Sequence, residues 1–418
     1  MLLGALVVLL AIFGAPLFVV IGASALLGYQ KEGIDLMAIV VEILGIAGMP
    51  FLSAIPLFTF AGYLLSESNA PHRLVRVTGA VLGWLPGGLA LVALAACAFF
   101  TAFTGASGVT IIALGAILYP ALQKDGYPDD FNLGLVTTSG SLGLLFAPSL
   151  PLILYGVVTE VPIDSLFRAG LLPGILMVVM LSAYSLWINR NNRKPLNSFS
   201  LREVAAALRE SKWELPLPIV VLGGIYSGYF AVSEAAAVTA LYVLIVEVFI
   251  LREVKIRDLP RVMRDSMLLV GGILIILGVS LASTNYMIDA GVPQKLLAIV
   301  SEMITSQFTF LLLLLIFLLI LGAILDIFSA IVLVVPLILP IAAQYGVDQV
   351  HLGIIFLAAM QLGYLTPPVG LNLFIASYRF DRPIMKVCAA TFPFLVILLL
   401  SVIVITYWPA LSLTLLAD

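Results

Sequence analysis

The sequence predicts an all-α polytopic membrane protein built from two inverted repeats, each holding a re-entrant helical hairpin and a broken transmembrane helix. Three observations carry that prediction. The 418 residues are 62% hydrophobic and only 10% charged, against about 25% charged in soluble domains. Apolar stretches long enough for a hydrocarbon core of about 30 Å follow one another from end to end, so the chain is one membrane domain over 1–418. Finally, the second half repeats the first at an offset of 220 residues.

Charge excludes one class of partner at once. Twenty basic and 23 acidic residues give a net charge of -3, so there is no cationic surface for a nucleic-acid backbone. Cys97 and Cys388 lie in apolar runs without metal-ligand spacing and read as packing residues.

Residues 1–29 open with an apolar run too long for a signal-peptide core and preceded by no basic residue, which predicts a membrane helix. Further apolar segments cover about 35–48, 50–66, 79–103, 108–122, 131–158, 166–189, 214–231, 234–250, 266–286, 308–325, 327–344, 351–378 and 386–413. Basic residues gather in three loops: Arg190 to Lys212, Arg252 to Arg264, and Arg379, Arg382 and Lys386. The positive-inside rule puts these loops in the cytoplasm. Residues 251–267 alternate apolar with charged residues, which predicts a helix lying flat on that surface.

The repeat pairs Pro120 with Pro340, Gly126 with Gly346, Leu142-Gly143 with Leu362-Gly363, Pro148 with Pro368, and Pro173 with Pro393. Prolines and glycines matching at one offset imply a duplication, with repeats over 1–210 and 211–418. The charges orient the two copies oppositely, the architecture of many secondary transporters.

Within the first copy, the segment 107–122 would rise only about 24 Å as a helix, too little to cross comfortably. Before it stands Thr104-Gly105-Ala106-Ser107-Gly108, which can reverse the chain. Residues 79–122 are therefore expected to form a hairpin with this cluster at its tip, and 308–344 a second one with Leu325-Asp326-Ile327-Phe328-Ser329 at its tip. A carboxylate at Asp326 inside some 35 apolar residues must meet a cation, a donor or water, and capping of the second half-helix is one way to do so. The segments 131–158 and 351–378 each carry proline and glycine midway, which removes donors and frees carbonyls. Oxygen atoms bared in this way suit a sodium ion, and half-helix N-termini attract an anion.

The stretches PLFTFAGYLL (56–65), TGASGVTIIALGAILYPAL (104–122), GSLGLLFAPSLPLILYG (140–156), LFRAGLLPGIL (166–176), SEAAAVTALY (233–242) and LDIFSAIVLVVPLILPIA with LGYLTPPVGLNLF (325–374) resemble the large membrane subunit of tripartite ATP-independent periplasmic (TRAP) transporters. The likeness extends over nearly the whole chain. It implies a sodium-coupled symporter of an organic anion in the bacterial inner membrane. It implies an elevator-type transport domain, a small four-helix membrane subunit, and a soluble periplasmic binding protein that delivers the solute. With no helices before residue 1, the small subunit is expected to be a separate chain. Carried over by position, the resemblance implies one sodium site at Gly105, Ser107, Thr110, Gly143 and Ser149 and a second at Gly322, Asp326, Gly363, Thr366 and Val369. It implies substrate contacts from Ser107, Pro148, Ser149, Ser329, Pro367 and Asn372. The chain departs from the family at Ala106, where a serine is usual, and at Ala147, where a proline is usual.

Two rivals are weaker. Gly105-Ala106-Ser107-Gly108 matches the nucleophile motif of rhomboid-like intramembrane serine proteases, but such a serine needs a histidine base. The two histidines, His72 and His351, fall in polar stretches near segment ends and read as solvated or capping residues. A passive channel would show a charge ring or a repeated filter, and the sequence has neither. Glu234 reads as an exposed turn carboxylate without a role.

Overall fold

A computed structural model describes residues 9, 13–49, 52–85, 87–190, 199–292, 294–296, 298, 304 and 306–416. The described residues are helical with no strand, and six helices are long and apolar enough to cross a membrane, or eight when two bent pairs are counted as spans. The first part of the predicted helix 1–29 lies outside the described residues, and its remainder is α1 (Leu17–Glu32).

A frame is formed by α1, α2 (Met37–Gly45), α3 (Ala54–Glu67), α12 (Pro216–Tyr226), α13 (Val232–Leu244) and the long α14 (Leu259–Asp289). Two amphipathic helices, α4 (Ala70–Leu82) and α11 (Leu201–Glu210), pair with each other through Arg76, which bonds Glu203 at 3.0 Å and Glu210. Helix α4 is fixed to the frame by Arg73, buried among Glu214 (2.5 Å), Glu247 (3.6 Å) and Glu253. Removing such a cation would strand buried carboxylates, at a cost of about 3–5 kcal/mol.

The remaining described elements pack into the core. The first hairpin consists of α5 (Gly88–Thr104), α6 (Ser107–Ala113) and α7 (Gly115–Lys124), the last two bent by 49°. Next come α8 (Asp129–Ser139), a 3-10 turn at Leu142–Leu145, α9 (Leu150–Thr159) and α10 (Ile163–Ile188). The second copy runs α15 (Gln307–Ile324), α16 (Ile327–Gln344), α17 (Gln349–Gly363), α18 (Leu371–Phe380), α19 (Ile384–Tyr407) and a terminal turn α20 (Ala410–Leu413). The order of elements recurs. Asp129 and Gln349 begin equivalent helices, Gly126 and Gly346 both take left-handed φ values of 85° and 72°, and a cis X–Pro bond stands in each break, Ala147–Pro148 and Pro367–Pro368.

Three expectations are corrected. Residues 251–267 form no separate surface helix: from Leu259 they are the first turns of α14, because its charged face simply precedes 22 largely apolar residues of one continuous helix. The amphipathic surface element is α11, whose Ser200 accepts from the Glu203 N–H as its N-cap. The first hairpin begins at Gly88 rather than 79, since Gly83 and left-handed Gly87 end α4 and restart the chain. His351 is neither solvated nor capping: it is 2% exposed, with ring nitrogens 3.1 Å from Ser412 Oγ and 3.3 Å from the Thr406 carbonyl oxygen, while Asp348 caps its helix. Glu234 is exposed as expected, accepting the Ala231 N–H at 2.9 Å.

Candidate transport site

Each hairpin tip meets the chain break of its own copy, and glycines let it do so. At the first tip α5 ends in left-handed Gly105 (φ 63°), where a Cβ would lie 2.4 Å from Leu150 Cγ at the start of α9. Any larger residue would push the tip off the first break. At the second tip the backbones of Gly322 and Gly363 cross so closely that a Cβ on Gly363 would sit 2.3 Å from the Gly322 carbonyl carbon. The neighbouring Val369 N–H donates to the Ala323 carbonyl at 3.1 Å, and the Ile327 N–H donates to the Tyr364 hydroxyl at 3.1 Å.

The first tip also reaches the second break. Ser107 Oγ donates to Asn372 Oδ1 at 2.7 Å, and both side chains are buried. Serine 107 therefore touches an amide acceptor rather than a histidine base, and His72 is exposed on α4. One step back, Thr101 Oγ1 donates to the Gly140 carbonyl at 2.8 Å and so accepts from Thr110 Oγ1 at 2.7 Å. Gly143 packs backbone to backbone on α5, where a Cβ would lie 2.3 Å from the Ala98 carbonyl oxygen.

Four half-helices begin in this region, and their starts differ chemically. Ala106, Ser149 and Gly370 precede α6, α9 and α18 without a capping side-chain bond; the Asn372 N–H at the start of α18 already donates to the Tyr364 carbonyl at 3.1 Å and α9 has the donorless Pro151 in its first turn, so fewer first-turn N–H groups are left for another acceptor there than at α6. Only α16 is capped: Asp326 Oδ1 accepts from the Phe328 and Ser329 N–H groups at 3.0 Å each, and Oδ2 accepts from Ser329 Oγ. The capping alternative read from the sequence is thus the arrangement observed, with Asp326 itself exposed and Ser329 buried.

Placement of the remaining expected residues is uneven. Pro148 and Ser149 are buried, whereas Pro367 and Val369 are exposed and Thr366 is half-buried, its hydroxyl donating to the Leu362 carbonyl at 3.0 Å. Several buried polar atoms at the site have no hydrogen-bond partner in the fold: Ser149 Oγ, Asn372 Nδ2, Thr104 Oγ1, Thr138 Oγ1 and both amide atoms of Gln361. Ser149 and Asn372 were expected from the sequence. Thr101, Thr104, Thr138 and Gln361 were not, although Gln361 standing two residues before Gly363 in an otherwise apolar run was a visible signal. Buried polar groups ordinarily find partners, so these atoms are left to bond a group that the fold itself does not supply.

Residues 3–411 match the family model described as "Tripartite ATP-independent periplasmic transporter, DctM component". The C4-dicarboxylate TRAP transporter large permease protein DctM of Pseudomonas aeruginosa is 36% identical over 365 residues, covering 87% of this chain and 86% of that protein. The isethionate TRAP transporter permease protein DctMQ of Oleidesulfovibrio alaskensis is 32% identical, covering 96% of this chain and 64% of that protein. The ectoine/5-hydroxyectoine TRAP transporter large permease protein UehC of Ruegeria pomeroyi is 31% identical over 97% of this chain and 96% of that protein. Among solved structures, the YdaH transporter of Alcanivorax borkumensis superposes with a TM-score of 0.65 at 13% identity, covering 91% of this chain and 90% of that one, a likeness of fold. With helices apolar enough to span and with these matches, the chain belongs to the DctM component family of TRAP transporters: it is a multi-pass inner-membrane permease subunit, a transporter component rather than an enzyme.

Proposed function

We propose that this permease subunit is a sodium-coupled symporter that imports an organic anion, a carboxylate or related acid, by an elevator movement of its core against its frame. The observation that carries this reading is the coincidence of three uncapped half-helix N-termini with buried hydroxyl and amide groups that the fold leaves unpartnered. Amide donors without acceptors favour a carboxylate, and they favour it more strongly where water is scarce. Hydroxyl and carbonyl oxygens beside Gly143 and Gly363 are hard donors of the kind a small alkali cation takes.

In this reading the residues act in three sets, two for sodium and one for the solute. Ser107, Thr110, Ser149 and the peptide groups near Gly105 and Gly143 hold one sodium ion, travelling as a co-substrate. Thr366, Asp326 and the peptide groups of Gly322, Gly363 and Val369 hold a second. Ser107, Pro148, Ser149, Ser329, Pro367 and Asn372 then border the solute, which fits the Ser107 to Asn372 contact at the junction of the two copies. Opposite orientation of the two copies supplies an equivalent pathway on each side of the membrane. The names of relatives, which mention C4-dicarboxylate, isethionate and ectoine, support solute uptake of this general kind. The fused DctMQ relative supports a partnership with a small membrane subunit, and the family description supports a periplasmic binding protein.

The test is reconstitution of this chain with its small subunit and binding protein in liposomes. Concentrative uptake is expected with an inward sodium gradient and is expected to vanish when potassium replaces sodium. Undiminished uptake in potassium would remove the sodium-coupled reading.

A further inference from the structure

The seam between α6 and α18 leads away from the proposed site and ends on a cation with an unusual partner. The two helices lie side by side and run the same way: Ser107 bonds Asn372, a Cβ on Gly108 would sit 2.6 Å from Ile375 Cδ1, and Arg379 Nε donates to the Ile112 carbonyl at 3.2 Å. Asn372 and Arg379 are seven residues apart on α18, hence on one face and about 10 Å apart along the axis. Ile112 precedes the 49° bend between α6 and α7, where the helical ladder is interrupted.

Arg379 belongs to the third basic cluster, which the positive-inside bias assigns to the cytoplasm. Its neighbours there are already neutralised. Lys386 lies 2.8 Å from Asp129 and 3.6 Å from Asp130, and Arg382 lies 3.3 Å from Asp129 and donates to the Tyr119 hydroxyl at 3.4 Å. Among the described residues Arg379 has no carboxylate within ion-pair distance, is exposed, and binds only a neutral peptide oxygen. A guanidinium exchanges such a carbonyl readily for a carboxylate, which offers it two charged acceptors in matching geometry.

We propose that Arg379 is a positioning residue for release, giving up the Ile112 carbonyl to take the carboxylate of the solute as it leaves the Ser107–Asn372 junction along the α6–α18 seam toward the cytoplasm. This rests on the organic-anion reading above and adds a place where the anion pauses on its way out. It also explains why the hairpin bend and the only cation on this face of α18 meet: one group holds the seam shut when no anion is there and stabilises the anion when the seam parts.

The assembled three-component transporter in sided vesicles tests it, with succinate and ectoine as the two probe acids. Arg379→Gln keeps a donor for the Ile112 carbonyl but removes the charge, and Arg379→Lys keeps the charge. For whichever acid the wild type carries, Arg379→Gln is expected to raise the half-saturating concentration on the cytoplasmic face about tenfold, the scale of one charge-assisted hydrogen bond. Half-saturation for solute delivered by the binding protein should change less than about twofold, and Arg379→Lys, which keeps the charge but not the two-pronged geometry, should recover only part of the loss. Wild-type behaviour of Arg379→Gln on the cytoplasmic face, or an equal rise on both faces, would overturn the proposal. So would failure of both variants to assemble, which would make Arg379 a structural latch. If the wild type carries no organic anion delivered by its binding protein, the parent reading falls and takes this one with it; intact wild-type exchange with unaffected variants defeats Arg379 alone.

Discussion

The two chain breaks are written alike in the sequence and packed differently in the molecule. Around Gly143 every residue of the 3-10 turn is buried, and the turn is held by backbone contact on two sides: Gly143 against the Ala98 carbonyl, and Gly170 so near Leu145 that a Cβ would lie 2.1 Å from its carbonyl oxygen. Only Phe146 and Ala147 reach an edge, where they line an apolar groove of about 340 Å³ between α5, α10 and α12. Around Gly363 the crossing with Gly322 is just as close, but the chain then emerges, with Pro367, Pro368 and Val369 exposed before left-handed Gly370 returns it to α18. One device therefore yields a sealed joint in the first copy and an accessible loop in the second. The lesson is that breaking a helix frees polar backbone, while the neighbours decide whether that backbone serves packing or traffic.

The largest effect that could break this contrast is steric. Gly143→Ala should deplete folded, detergent-stable protein, since its Cβ would have to displace the α5 backbone rather than a flexible side chain, and overpacking of this kind costs about 1–3 kcal/mol or more. Pro367→Ala, in the exposed loop, should leave thermal stability within about 0.5 kcal/mol of the wild type. Fluorescence-detected size exclusion after heating reads both. Equal loss in the two variants would mean that the second loop is as structural as the first.

A smaller effect concerns the bond that joins the copies. Ser107→Ala leaves the buried Asn372 Oδ1 without its donor, for about 1–3 kcal/mol of stability, and a double-mutant cycle with Asn372→Leu should return a coupling of about 1 kcal/mol. A coupling near zero would show that the halves meet there by proximity alone.

How much of this was legible in the sequence depends on whether a polar residue marks the boundary. The second hairpin was placed to within one residue, expected at 308–325 and 327–344 against Gln307–Ile324 and Ile327–Gln344, because Asp326 interrupts an apolar run and must cap something. The first hairpin started nine residues early, because the amphipathic end of α4 reads as part of the same apolar stretch. The unequal exposure of the two breaks was not legible: lipid-facing, core-facing and cavity-facing apolar residues look the same along a membrane chain. The bond between Ser107 and Asn372 was equally hidden, since it joins residues 265 apart whose pairing follows only from how the two copies pack.

Charge provides the next, subtler test. Asp326→Asn keeps a side-chain acceptor for the Phe328 and Ser329 N–H groups, so helix α16 should lose less than about 1 kcal/mol, asparagine being about as good an N-cap as aspartate. If the carboxylate also faces a sodium ion, the half-saturating sodium concentration should rise severalfold while expression holds. Parallel loss of expression and sodium response would reduce Asp326 to its cap.

The smallest change in stability should come from Ser149, and that makes it the sharpest test of the sealed joint. Its hydroxyl is fully buried at the start of α9 yet has no partner in the fold, so the protein has already met the cost of drying it without the return of a hydrogen bond. Ser149→Ala should therefore leave the unfolding temperature unchanged or slightly higher. Thr366→Ala in the accessible loop removes a hydroxyl that does donate, to Leu362, and should cost about 0.5–1.5 kcal/mol. Both variants should need more sodium for half-maximal uptake. A Ser149→Ala protein that unfolds earlier yet responds to sodium as the wild type does would mean that the first break is packing alone, and would confine the proposed sodium binding to the second.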